Sequence, residues 1–98
     1  MRIIWTLPAK FYLREIVDYY KEVASVRVAN NLKNKLLRAT KKLSILPDIG
    51  VPEEFDIHEY RSLIVDNYKI MYRVEPPYIY VIDVFDTRQN PEKIKRNL

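Results

Sequence analysis

The 98-residue chain predicts an α+β fold, β-α-α-β-β-β in order, with a helical hairpin packed on one face of a small, mostly antiparallel twisted sheet. Three observations predict it. Tyr68, Ile70, Tyr72 and Val74 alternate with Lys69, Met71 and Arg73, the period of two that gives a strand one apolar and one polar face. Between Pro8 and Leu46, apolar residues instead recur at three or four positions, the spacing of amphipathic helices. Prolines fall where the period changes, at Pro8, Pro47 and the Pro76-Pro77 pair.

Taken in order, Arg2 to Thr6 is rich in β-branched and aromatic residues and reads as a strand, and Thr6 before Leu7-Pro8 suits a helix N-cap. The first helix runs to about Val23, with Leu13, Ile16, Tyr20 and Val23 as its apolar stripe. A second, capped by Ser25, runs to Leu46 along Val28, Leu32, Leu36, Ala39, Leu43 and Leu46, and Pro47 stops it. The sheet must cover these stripes. Asp48 to Glu59 contains two prolines and the only glycine, Gly50, and reads as a loop followed by a short strand near Glu54 to His58. Arg61 to Pro91 holds three short strands, the last two joined by the Pro76-Pro77 turn, and Arg96 to Leu98 reads as a frayed end. No repeat or linker divides the chain, so a single domain covering residues 1–98 is expected.

Composition narrows the chemistry. No cysteine is present, which removes disulfides, thiolate nucleophiles and cysteine-rich zinc sites and fits a reducing, cytoplasmic setting. No segment approaches the roughly 18 apolar residues of a membrane span, and the N-terminal apolar run is too short for a signal peptide, so a soluble chain with no membrane partner is expected. One glycine cannot build a phosphate cradle, and one histidine with no serine elbow supports neither a catalytic triad nor a zinc constellation. Neither a metal nor a cofactor is expected. His58, inside EEFDIHEY, reads either as a lone base or as a surface imidazole.

The remaining chemistry is cationic. Arg27, Lys33, Lys35, Arg38, Lys41 and Lys42 lie between Val23 and Pro47 with no acid among them, whereas Asp48, Glu53, Glu54, Asp56 and Glu59 follow at once. Such a helix attracts phosphates or an acidic partner, or is a solvated face. Arg61, Lys69, Arg73 and Arg88 lie on or beside the strands with five tyrosines interleaved, and are expected to crowd the uncovered face of the sheet. Arginine forks hold phosphate and tyrosines stack on bases, so this set could bind RNA. Against that, Tyr68 and Tyr72 share the parity of Ile70 and Val74 and suit the core, leaving Lys69 and Arg73 as the better candidates.

Several segments together resemble the RelE/ParE superfamily of toxins from type II toxin–antitoxin systems. They are Leu43-x-x-Leu46-Pro47-x-x-Gly50, Tyr60-Arg61-x-Leu63, Tyr68-Lys69-Ile70-x-Tyr72-Arg73-Val74 and Val84-Phe85-Asp86-Thr87-Arg88-Gln89-Asn90-Pro91, behind an opening strand and helical hairpin. The resemblance implies a curved antiparallel sheet backed by two helices, and a toxin silenced by a cognate antitoxin. An acidic antitoxin segment would suit Arg27, Lys35, Arg38 and Lys42, while Arg61, Lys69, Arg73 and Arg88 would meet the target.

Two activities occur in the superfamily. RelE-like members cleave messenger RNA at the ribosome with a basic cluster closed by a C-terminal Tyr or His-Tyr pair; Lys69, Arg73 and Arg88 would be the catalytic set here, yet Glu92 to Leu98 contains neither Tyr nor His. ParE-like members bind and inhibit DNA gyrase, and the Arg61-Ser62-Leu63-Ile64-Val65 and Tyr72-Arg73-Val74 segments resemble that branch more closely. The resemblance therefore favours a ParE-like inhibitor over a ribonuclease, with an inactive relative that only binds its partner as a third possibility. The sequence leaves the oligomeric state open.

Overall fold

The computed structural model describes residues 1–55 and 58–88, with the side chains of Phe55 and His58 excepted. The expectations for the His58 imidazole, for Asp56 and for the tail from Gln89 to Leu98 lie outside the described residues.

Strand β1 (Arg2–Trp5) leads into helices α1 (Leu7–Val23) and α2 (Val26–Lys41), and strands β2 (Val51–Phe55), β3 (His58–Val65), β4 (Tyr68–Glu75) and β5 (Tyr78–Asp86) follow. The sheet order is β1-β5-β4-β3-β2, with β1 parallel to β5 and the other pairings antiparallel. This is the expected α+β architecture, with four strands after the helices where the expected order β-α-α-β-β-β counts three. The short strand expected near Glu54 to His58 is β2 itself, placed earlier in the chain and forming one edge of a five-stranded sheet.

Both expected caps form. Thr6 Oγ1 accepts from the Ala9 amide at 3.3 Å and donates to the Val81 carbonyl at 3.1 Å, so one hydroxyl starts α1 and ties it to β5. Ser25 Oγ accepts from the Val28 amide at 3.1 Å. The second helix ends earlier than its apolar spacing suggests. A 3-10 turn at Lys42–Ser44 takes over, Ser44 Oγ bonds back to the Lys41 carbonyl at 2.8 Å, and Pro47 biases Leu46 away from helix.

The helices pack on one face of the sheet through Ala9, Leu13 and Val17 of α1 and Ala29, Leu36 and Thr40 of α2. Ala9, Leu13, Val17, Ala29 and Leu36 join Tyr68, Ile70, Val81 and Val84 in the main core. The stripes are thus rotated from those read in the sequence: Val23, Val28 and Leu46 are exposed. Small side chains explain the rotation at Ala9 and Ala29, both fully buried, because an alanine lets a helix backbone approach its neighbour closely.

The face away from the helices is not simply polar. Tyr60, Met71 and Phe85 form a second buried cluster there, with Ile82 packed against it. A β-bulge makes this possible. Tyr72 pairs with Val81 and Met71 with Asp83, so Ile82 is an extra residue on β5 and the side-chain parity flips across it. Ile79, Val81 and Val84 can therefore all reach the helix side, while Phe85 points to the far side.

Candidate functional site

Register assigns every candidate side chain to a face, because residues directly opposite on adjacent strands point the same way. Arg61 lies opposite Tyr72, a core residue under the helices, so Arg61 belongs to the helix side of the sheet. Lys69 and Arg73 are on the far face, in parity with Met71. Asp86 lies opposite Tyr68, and Arg88 just beyond lines a groove with Tyr12, Tyr19, Tyr20 and Val23 at the end of α1. The expected single cationic surface does not exist: the four cations occupy three separate places. The error came from extending one strand's alternation to its neighbours without the register and the Ile82 bulge.

Arg61 is occupied structurally. Its Nη1 donates to the Gly50 carbonyl at 2.9 Å and to the Asp48 carbonyl at 3.2 Å, and its Nε lies 3.8 Å from Asp48 Oδ1. Tyr72 holds the same loop from inside the core, its hydroxyl donating to the Pro47 carbonyl at 2.7 Å and accepting from the Gly50 amide at 2.9 Å. Burial pushes the Tyr72 phenol up, so it stays protonated and can keep donating. Gly50 must be small: a Cβ there would sit 2.5 Å from the Tyr72 hydroxyl oxygen and 2.9 Å from the Ser62 carbonyl oxygen. The Pro47-x-x-Gly50, Tyr60-Arg61 and Tyr72 segments are thus partly one clasp that closes the exit from α2 onto the sheet.

The other three cations each have a carboxylate. Lys69 Nζ donates to Glu53 Oε1 at 2.8 Å, and Ser62 Oγ donates to the same oxygen at 2.7 Å. Burial works against the Glu53 charge, yet the hydrogen bonds from Lys69 and Ser62 and the nearby ammonium prevail and hold its carboxyl below the usual range. Arg73 Nε lies 3.0 Å from Glu75 Oε1, with its guanidinium 5.7 Å from the centre of the Tyr80 ring. Arg88 grips Asp86 through Nε at 2.9 Å and Nη2 at 2.6 Å, and its backbone amide adds a bond at 2.9 Å. That fork holds the Asp86 carboxyl low and raises the Arg88 guanidinium further. Asp83, buried opposite Met71, adds a third carboxylate to the face that carries Lys69 and Arg73.

The helical candidates fare differently. Arg27, Lys35, Arg38 and Lys42 are all exposed, and Arg27 and Arg38, eleven residues apart, fall within about 20° of each other around α2. Lys35 reaches Asp66 in the β3–β4 turn at 2.7 and 2.8 Å. Arg27, Arg38 and Lys42 make no ion pair among the described residues. This basic side of α2 is turned away from the sheet, so it does not continue the far face, contrary to the picture of a basic helix beside a basic sheet. Sequence reasoning missed Glu53, Ser62 and Asp83 as members of the far face. Only the alternation within β3 could have placed Ser62 there, and no local pattern announces Glu53 as the partner of Lys69.

Comparison with known proteins now bears on this geometry. Residues 3–91 match the family described as ParE toxin of type II toxin-antitoxin system, parDE. The chain belongs to the ParE toxin family. Among solved structures, its fold is similar to one from the chromosomal ParDE toxin–antitoxin system of P. aeruginosa, with a TM-score of 0.76 and 19% identity over 88% of this chain and 95% of that one. It is also similar to one from the toxin–antitoxin complex RelBE2 of Mycobacterium tuberculosis, with a TM-score of 0.62 and 17% identity over 87% and 95% of the two chains. No curated protein matches. The wider RelE/ParE superfamily expected from the sequence therefore holds. Among the described residues no helix is long and apolar enough to cross a membrane.

Proposed function

We propose that this type II toxin acts by binding DNA gyrase rather than by cutting RNA, and that an acidic antitoxin segment silences it. The observation that carries the first part is the state of the cations. A ribonuclease reading needs Lys69, Arg73 and Arg88 to converge on one phosphate with charge to spare. Instead, Lys69 and Arg73 share their face with Glu53, Glu75 and Asp83, and Arg88 sits elsewhere, closed on Asp86. A phosphate arriving between Lys69 and Arg73 would meet the carboxylates of Glu53, Glu75 and Asp83 beside those two cations. Such a surface suits a protein partner that exchanges hydrogen bonds with paired charges, with Lys69 and Arg73 as its target-facing groups; Arg61 and Arg88 are committed to holding the fold and to Asp86.

The second part rests on α2, whose Arg27, Arg38 and Lys42 are exposed and unneutralised among the described residues, with Lys35 beside them. The family and the two structural neighbours, both from toxin–antitoxin systems, support an antitoxin partner. Charge attraction of this kind weakens as salt shortens the Debye length, so affinity for the antitoxin should fall with ionic strength.

Sequencing transcript 5′ ends after induction, with plasmid supercoiling measured in the same cells, tests the target. The proposal expects relaxed or cleaved plasmid and no new ribosome-dependent cuts. New cuts in messenger RNA with unchanged supercoiling would overturn it in favour of the RelE-like reading.

A further inference from the structure

Helix α2 turns one wholly polar arc to solvent. At about 100° per residue, Arg27, Asn30, Asn31, Asn34, Arg38 and Lys41 fall within roughly 100° of its circumference, no other residue of the helix does, and all six are exposed. Ala29, Leu36 and Thr40, which α2 buries, lie on the opposite side. The arc is open along about 21 Å from Arg27 to Lys41. Arg27, Arg38 and Lys41 make no ion pair among the described residues. The asparagines are harder to explain as mere solvation. Asn is a poor helix former, ranking below the Lys, Gln and Glu that would serve an exposed position as well, so Asn30, Asn31 and Asn34 weaken α2. Nothing inside the molecule offsets this: none of them makes a side-chain hydrogen bond among the described residues. A local preference broken without an internal gain marks a functional surface.

The amide group narrows the partner. Carboxylates and phosphates only accept hydrogen bonds, which Arg and Lys satisfy, whereas a primary amide both donates and accepts. A line of acceptors with mixed donor and acceptor edges beside it is what a nucleic-acid duplex presents. Its phosphates suit Arg27, Arg38 and Lys41, and its base edges, adenine N6 and N7 above all, suit the three asparagines. The major groove of B-form DNA, about 12 Å wide, admits one helix. We infer that the outer face of α2 binds duplex DNA in the major groove. Arg27 and Arg38 also serve the proposed antitoxin segment, so antitoxin and duplex exclude each other on this face. DNA binding here does not depend on which target the toxin inhibits.

Fluorescence anisotropy of a labelled, mixed-sequence DNA duplex titrated with the purified full-length chain tests this. Micromolar binding is expected at about 50 mM salt, with log K falling against log salt at a slope of about −3, roughly 0.9 for each of Arg27, Arg38 and Lys41. Arg27→Ala/Arg38→Ala should flatten that slope by about two. Asn30→Ala/Asn31→Ala/Asn34→Ala gives the sharper result. Alanine is the better helix former, so the melting temperature should rise by about 5 °C, which also shows that the variant folds. DNA binding should nevertheless weaken about tenfold or more at an unchanged salt slope. Binding of a polyglutamate peptide should not respond to the same change, and an RNA duplex of the same sequence, whose major groove is too narrow for side chains to read, should bind severalfold more weakly than DNA. A chain that leaves the duplex free at about 100 µM overturns the inference. So does a triple variant that binds DNA as tightly as the wild type, as a merely solvated face would. Polyglutamate binding that falls together with DNA binding, as a face built for an acidic protein would show, overturns it too, and so does a preference for RNA.

Discussion

Replacing Tyr72 by Phe isolates the clasp between the α2 exit and the sheet, because the ring stays in the core and only the hydroxyl leaves. That oxygen donates to the Pro47 carbonyl at 2.7 Å and accepts from the buried Gly50 amide at 2.9 Å. Two net hydrogen bonds are worth about 1 kcal/mol each, and the orphaned Gly50 amide adds about 1 kcal/mol if no water replaces the hydroxyl, so a loss of about 2–3 kcal/mol is expected. A chain of this size has a urea m-value of about 1–1.5 kcal/mol/M, which places the midpoint roughly 2 M lower. Tyr68→Phe is the control. Among the described residues the Tyr68 hydroxyl donates to Tyr20, at a long 3.3 Å, and its removal should cost under about 1 kcal/mol. Equilibrium urea unfolding of both variants decides the matter, and a Tyr72→Phe midpoint no lower than that of Tyr68→Phe would refute the clasp.

Three further outcomes follow from the same geometry. Gly50→Ala should destabilise by about 2 kcal/mol or more in the same assay, since its Cβ meets the Tyr72 hydroxyl at 2.5 Å and a backbone carbonyl at 2.9 Å in a buried site. Glu53 and Asp86 have lowered carboxyl pKa values in the folded chain, so the stability they contribute is complete above their unfolded values and is lost as pH falls through the lowered ones. Thermal melts should therefore fall below about pH 4, and Glu53→Gln should flatten that fall. Arg27→Glu/Arg38→Glu should weaken antitoxin binding by roughly tenfold or more at low salt, by calorimetry, and reduce its salt dependence without changing the melting temperature.

Much of the fold was legible because it is written in local periods. The alternation through Tyr68 to Val74, the capping residues Thr6 and Ser25, and Pro47 after the second helix each state a local preference that the tertiary structure keeps. The helix stripes were less legible: Val28 is apolar by type, but Ala29 is the residue that lets α2 approach its neighbours, and size rather than hydropathy decided the face. The candidate site was the least legible. Arg61 and Lys69 look equivalent in a string of basic strand residues, yet register puts them on opposite sides, and one extra residue at Ile82 inverts the parity of β5. The partner of Lys69, Glu53 sixteen residues away, and Ser62, which donates to the same carboxylate oxygen, come from strands whose pairing no single-strand pattern specifies. What the resemblance segments encode is therefore partly architecture: Gly50, Arg61 and Tyr72 meet at one loop.

A supercoiling assay with the purified chain, gyrase and relaxed plasmid, run beside ribosomes programmed with messenger RNA, distinguishes a gyrase inhibitor from a ribonuclease. Gyrase should be inhibited in proportion to the chain added, Lys69→Ala or Arg73→Ala should weaken this inhibition while the fold persists, and the message should stay intact. Cleaved message with unimpaired supercoiling would contradict gyrase inhibition.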